Sequence, residues 1–234
     1  SSYIHFRRGF YRLRKHVIMS IFSIGMAPFL LNVCASGIVI VLNHNFKIYG
    51  GDLAIGAYGI VNRVATLFVM VVIGLTQGMQ PVVGYNFGAR HFERVQKTLK
   101  KVIRIAVTIM GLGWVCSELL PGHIVAMFSD DAELNKLAEV GLRITILSFP
   151  MVGAQFVITN FFQSIGKAKI SILLSLARQL LFLIPLLYTL PHMAGLDIYG
   201  VWGSMPLADT LAFIAAILTL RWYLKKTHGL QTIA

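Results

Sequence analysis

Six apolar runs, each long enough to cross a bilayer, constrain this chain more than any other feature. They lie at about 17–42, 53–87, 102–120, 140–165, 170–190 and 200–220. A hydrocarbon core of ~30 Å takes about 20 apolar residues of helix. Every backbone N–H and C=O inside it must find a partner there, and a helix supplies those partners within one segment. The runs therefore predict an all-α polytopic membrane protein, a bundle of six transmembrane helices. Charged residues make up only 13% of the chain, about half the share of a soluble domain, and the mean hydropathy is +0.73. The second run exceeds one crossing, which predicts tilt or a bend within it.

A net charge of +12 raises the question of nucleic acid, but the placement of the basic residues points to a membrane. Sixteen Lys and Arg fall in one alternating set of flanking segments: 1–16, 88–104, 166–169 and the tail 221–234. The loops of the other set hold two, Lys47 and Lys136. By the positive-inside rule, both termini are expected in the cytoplasm, with the bundle in the plasma membrane. Residues 1–16 mix aromatic and basic side chains, which suits a cytoplasmic linker lying on an anionic membrane face. Lipids are thus expected partners and nucleic acid is not. The first residue is Ser1, so the chain is expected to be part of a longer protein.

Enzymatic chemistry finds little support. Phosphate-binding glycine loops and His/Cys metal clusters are absent from the sequence, and the seven histidines fall in loops or at the ends of runs. Cys34 and Cys116 sit inside apolar runs, far from any C-x-x-C spacing, and read as small buried hydrophobes. No cofactor or metal site is expected.

The informative residues are polar groups at membrane depth, which are costly there and commonly face a bundle interior or water. At 1.5 Å per residue, Arg63, Arg178 and Asp209 each fall near the midplane. Arg178 and Asp209 lie on sequential helices joined by a short loop and are expected to pair, as a structural tie or as part of a transport path. Arg63 has no acidic partner in its own run and is expected to face a water-filled cavity. The fourth run carries Gln155, Thr159, Asn160 and Gln163, which read either as interhelical glue or as a pathway lining. Asp130 followed by Glu133 resembles a capping box before that run. The stretch 74–89, GLTQGMQPVVGYNFGA, holds two G-x-x-x-G pairs around Pro81. Small residues at that spacing let helices approach closely. Pro81 cannot donate to the Gln77 carbonyl, so a bend is expected there, with the Gln77 and Gln80 amides as its polar partners.

Three segments together carry a family resemblance: 74–89, RITILSFPMVGAQFVITNFFQSIGKAKISILLSLARQLLFLIPLL (143–187) and GVWGSMPLAD (200–209). They resemble the carboxyl-terminal half of the multidrug and toxic compound extrusion (MATE) transporters, in their MepA-like branch. The likeness covers about residues 17–222. It implies a twelve-helix transporter of two six-helix lobes, of which this chain is spans seven to twelve and an amino-terminal six-helix lobe is the partner. It implies export of small amphipathic or cationic drugs by alternating access, driven by Na⁺ or H⁺ antiport. The first run lacks the carboxylate that some members carry there for the coupling ion, so the resemblance assigns no ion site. Two other readings remain open: a lipid-linked saccharide flippase of the same superfamily, and a non-transporting membrane scaffold.

Overall fold

The computed structural model describes residues 15–193 and 195–231. The expected linker, apart from Lys15 and His16, and the last three residues of the tail lie outside the described residues. All regular structure among the described residues is helical.

The helical stretch Lys15–Gly88 has 74 residues and would be about 111 Å long if straight, far more than a bilayer. It is broken once, at Gly51 (φ 69°, ψ −163°). A positive φ of this kind is easy only for glycine. The chain doubles back there: the rings of Phe46 and Tyr58 stack at 5.0 Å, whereas twelve residues of straight helix would separate them by about 18 Å. The result is a hairpin of α1 (15–50) and α2 (52–88). The polar loop expected at 43–52 is therefore a single residue. Asn43 to Gly50 continue the helix because Phe46 is needed in the core, where it is fully buried against Trp202.

The next helix, α3 (Phe92–Leu119), begins ten residues before the expected span. Its basic first turns belong to the same helix, burying Val95, Leu99, Val102 and Ala106 on one face. Pro121 stops α3 and opens the short α4 (Pro121–Ala126). The cap of α5 (Ala132–Ile146) is Asp131, one residue beyond the expected Asp130. Its Oδ1 accepts from the amides of Glu133 and Leu134 at 2.9 and 3.2 Å.

The fourth run forms two helices. α5 and α6 (Phe149–Ser164) meet at 52°, separated by Leu147 and Ser148. Pro150 lies in the first turn of α6, where its missing N–H is harmless. One turn earlier, its ring would crowd the Ile146 carbonyl and end α5. α7 (Ala168–Leu176) runs through a π-helical segment, Ala177–Leu183, into α8 (Ile184–Thr189) and a 3₁₀ turn, Leu190–His192. The last helix, α9 (Asp197–Gln231), contains Pro206.

Among the described residues, four helical stretches are long and apolar enough to cross a membrane: Asn32–Gly88, Phe92–Leu119, Ala168–His192 and Asp197–Lys226. The bent pair α5–α6 makes a fifth. Gly51 divides the first of these in two.

Close approach between helices occurs at glycines other than those expected. A Cβ on Gly74, Gly78 or Gly88 would meet nothing within 4 Å, and one on Gly84 would only touch the Ser164 carbonyl at 3.4 Å. The tight crossings are elsewhere. A Cβ on Gly153 of α6 would lie 3.0 Å from the Ala106 carbonyl of α3, and one on Gly141 of α5 would lie 2.5 Å from the Trp202 ring. Nor does the backbone leave helical geometry at Pro81, since Gly51 is the one non-helical residue within Lys15–Gly88. The residues before Pro81 keep helical dihedrals, so loss of one hydrogen bond does not break the helix.

Gly141→Ala is expected to push on the fully buried Trp202 and lower stability by about 1–3 kcal/mol, the usual cost of overpacking. Gly74→Ala, with open space around it, should leave stability unchanged or slightly raised. Thermal melts of the two variants in detergent compare these directly. Equal melting shifts would contradict the packing described.

Candidate functional site

Asp209 is the one buried acidic residue among those described, at 7% exposure. It lies one turn beyond Pro206 on α9. The Arg178 Nε donates to its Oδ1 at 2.6 Å, and the Ser148 hydroxyl donates to its Oδ2 at 3.0 Å. Each carboxylate oxygen thus accepts one hydrogen bond, and the two donors come from different parts of the chain. Local breaks in helix geometry present both donors. Ser148 sits in the gap between α5 and α6, where its hydroxyl turns inward. Arg178 sits in the π-helical segment, a wider turn that recurs at functional sites because it re-aims side chains. The expected pair is therefore present, with a third member that the sequence did not announce.

Two cavities flank the pair. The first, of about 170 Å³, is bounded by Tyr58, Asn62, Thr145, Arg178 and Asp209 together with apolar side chains. The second, of about 190 Å³, is more uniformly polar and is bounded by Gln155, Thr159, Ser171, Ser175, Arg178 and Gln179. Asn160 and Gln163 reach its wall as well. Arg178 alone lies on both. Several polar atoms in these walls are buried without partners: Thr145 Oγ1 by the first cavity, and Gln155 Oε1 and Gln179 Oε1 by the second.

The other expected site residues separate into two groups. Gln80 donates to Asn160 Oδ1 at 3.3 Å, bridging α2 and α6, so it serves a neighbouring helix and not the Gln77 carbonyl. Asn160 in turn donates to the Phe156 carbonyl at 2.9 Å. Arg63, Gln77 and Pro81 are exposed along α2 and take no part in either cavity. Ser148, Asn62, Thr145 and Gln179 were missed. Gln179 adjoins Arg178 in sequence, and Ser148 precedes Pro150 by two residues, at a forced helix break. Those were the available signals.

Comparison with known proteins gives this arrangement its context. The MatE family matches residues 27–189, well over half of the chain. The chain belongs to the MATE family. The multidrug export protein MepA of Staphylococcus haemolyticus is 31% identical over 203 residues, covering 86% of this chain and 44% of that protein. MepA of Staphylococcus saprophyticus is 28% identical over 207 residues, covering 88% and 45%. Among solved structures, an inward-facing MATE transporter of the MOP superfamily superposes with a TM-score of 0.88 at 19% identity, covering 94% of this chain and 50% of that one. The MATE multidrug transporter DinF-BH gives 0.76 at 32% identity, covering 93% and 48%. This MATE chain is of the MepA type and spans about half the length of the relatives it matches. It is a polytopic all-α membrane protein from a family of transporters, not of enzymes.

Removing either partner leaves the other charge inside the helix bundle without its counter-ion, at about 1–3 kcal/mol. Arg178→Gln and Asp209→Asn are each expected to lower the melting temperature. The double variant should lose less than the sum, with a coupling of about 1 kcal/mol. Arg178 is one-third exposed, which holds that figure toward the low end. Strictly additive losses would show that the two side chains do not interact.

Proposed function

We propose that this chain is the carboxyl-terminal lobe of a cation-coupled multidrug exporter. It would carry six spans, 17–42, 53–87, 102–120, 140–165, 170–190 and 200–220, with both ends on the cytoplasmic side of the plasma membrane. The exported compounds are small amphipathic or cationic drugs, moved by alternating access of a cavity between this lobe and its amino-terminal counterpart. The observation that carries the reading is the outer face of α2. Arg63, Gly74, Gln77, Gly78 and Pro81 are exposed on one helix, and Arg63 and Gln77 have no hydrogen bond or ion pair among the described residues. A charge and an amide at membrane depth are a poor surface for lipid. They suit the wall of a water-filled cavity whose other wall lies on a second lobe, and the half-length match to the MepA proteins supports that second lobe.

Dye efflux tests this. Residues 1–234 alone should give none, and supplying the amino-terminal lobe should restore it. Robust efflux from this chain by itself would refute the two-lobe reading. Topology is checked separately on intact cells with an impermeant thiol reagent. A cysteine placed at Asn135, in the acidic connection, should be labelled, and one placed at Thr98, in the basic part of α3, should be protected. The reverse pattern would invert the orientation.

A further inference from the structure

We infer that Arg178 is a movable counter-ion, and that a proton taken up by Asp209 releases its guanidinium into the neighbouring cavity of amides and hydroxyls. The coupling cation is then a proton, bound at the Arg178–Asp209 pair. This rests on the export reading above and assigns its ion site.

Three observations converge. The first is the neighbourhood of the carboxylate. Asp209 is the one buried acid among the described residues, and the first cavity brings space to its side. The titratable groups that face it there are Arg178 from the π-helical segment and the Tyr58 phenol from α2. From α5 and the break after it come only Thr145 and Ser148, from α6 only Phe149 and Val152, and from α1 only Leu42. Histidines and lysines bound neither cavity. Arg143 on α5 and Lys169 on α7 are exposed and lie outside both.

The second is coordination. A metal ion replacing Arg178 would need a shell of oxygens; Tyr58, Asn62 and Thr145 line the first cavity with Asp209, but among the described residues Ser148 is the one neutral side chain bonded to the carboxylate. A proton needs a single lone pair, and each Asp209 oxygen, accepting one hydrogen bond, keeps one free; neutralising the carboxylate removes the charge that holds the guanidinium. The exchange balances simply. An O–H bond forms at Oδ1 with a proton delivered through the first cavity, and the Nε–H···Oδ1 hydrogen bond opens. Arginine keeps its charge, because it does not deprotonate in proteins. The pair passes from net zero to one positive charge.

The third is a destination. Arg178 already lies on the wall of the second cavity, and its two terminal nitrogens have no partner among the described residues. That cavity is rich in neutral acceptors and contains no acid: the Thr159, Ser171 and Ser175 hydroxyls, and the amide oxygens of Gln155 and Gln179, which are buried and unpartnered. A guanidinium has five donors and needs such a set once its carboxylate is neutral. The volume, about 190 Å³, leaves room for its planar head.

The test uses the complete two-lobe transporter in phospholipid vesicles. Ser175→Cys puts a thiol in the second cavity, Cys34→Ser and Cys116→Ser remove the two native thiols of this chain, and a cysteine at Asn135, in the acidic connection and away from both cavities, is the internal reference. Labelling by a small methanethiosulfonate is read at both sites by mass spectrometry. The ratio of the two rates cancels the pH dependence common to thiols. Acidification should lower the ratio several-fold as the guanidinium enters, and Asp209→Asn should hold it at the low value at every pH. If Asp209→Asn does not fold, the parent profile decides alone, and a ratio flat across pH overturns the inference. Protection produced by adding Na⁺ at fixed alkaline pH would also overturn it, making the metal ion the ligand. Efflux is measured on the same vesicles. Loss of the pH response with efflux intact sinks this inference only, and a pH response without efflux sinks the export reading only.

Discussion

One constraint governs the centre of this bundle: a charge buried among apolar helices is costly unless another group of the protein holds it. The Asp209 carboxylate is held twice, by Arg178 and by Ser148. Those donors come from the π-helical segment and from the gap between α5 and α6, so a single carboxylate fastens three elements to one point. Breaking a buried pair of this kind is destabilising mainly because of the charge left behind. The two helix irregularities thereby gain a purpose. At the break the Ser148 hydroxyl reaches Asp209 at 3.0 Å, closer than the Thr145 carbonyl of its own turn at 3.4 Å.

Around that point the packing is ordinary and dense. Trp202, Phe46 and Tyr58 form an aromatic cluster that ties α9 to both arms of the first hairpin, and Gly141 makes room for the indole. Gly153 lets α6 lie close on α3. The cluster fills the end of the bundle near Gly51, and the ion pair with its cavities lies further along α9. Tyr58 joins the two regions, stacking on Phe46 in the cluster and lining the first cavity with Asp209.

Much of this was legible in the residues. Apolar runs separated by short basic or acidic segments specify helices in lipid because nothing else satisfies the backbone there. The Arg178–Asp209 pair followed from two charges at matching depth on sequential helices. What could not be read had a common cause: helix irregularity depends on tertiary demand. Asn43 to Gly50 look like a loop, yet the core claims Phe46 and the helix persists. Pro81 looks like a bend, yet the neighbouring dihedrals stay helical. The π-helical segment itself contains neither glycine nor proline, and its one local signal is Pro185 just beyond it, which cannot bond the Leu181 carbonyl. Of the G-x-x-x-G glycines only Gly84 comes near another helix of this chain, at ordinary contact distance, while isolated glycines carried the close crossings.

The single-residue reversal at Gly51 has a mechanical consequence. A connection of one residue stores no slack, and Phe46 stacked on Tyr58 locks the two arms together just inside it. Sliding or rotating one arm alone would have to break that stack. At the same end, the Tyr49 hydroxyl lies 3.1 Å from the His192 ring, joining the hairpin tip to the turn before α9. That mouth of the bundle works as a rigid rim rather than a set of flaps. Any widening there has to come from whole helices tilting as a block, on the microsecond-to-millisecond scale of collective motions, and not from the faster flicker of a loop.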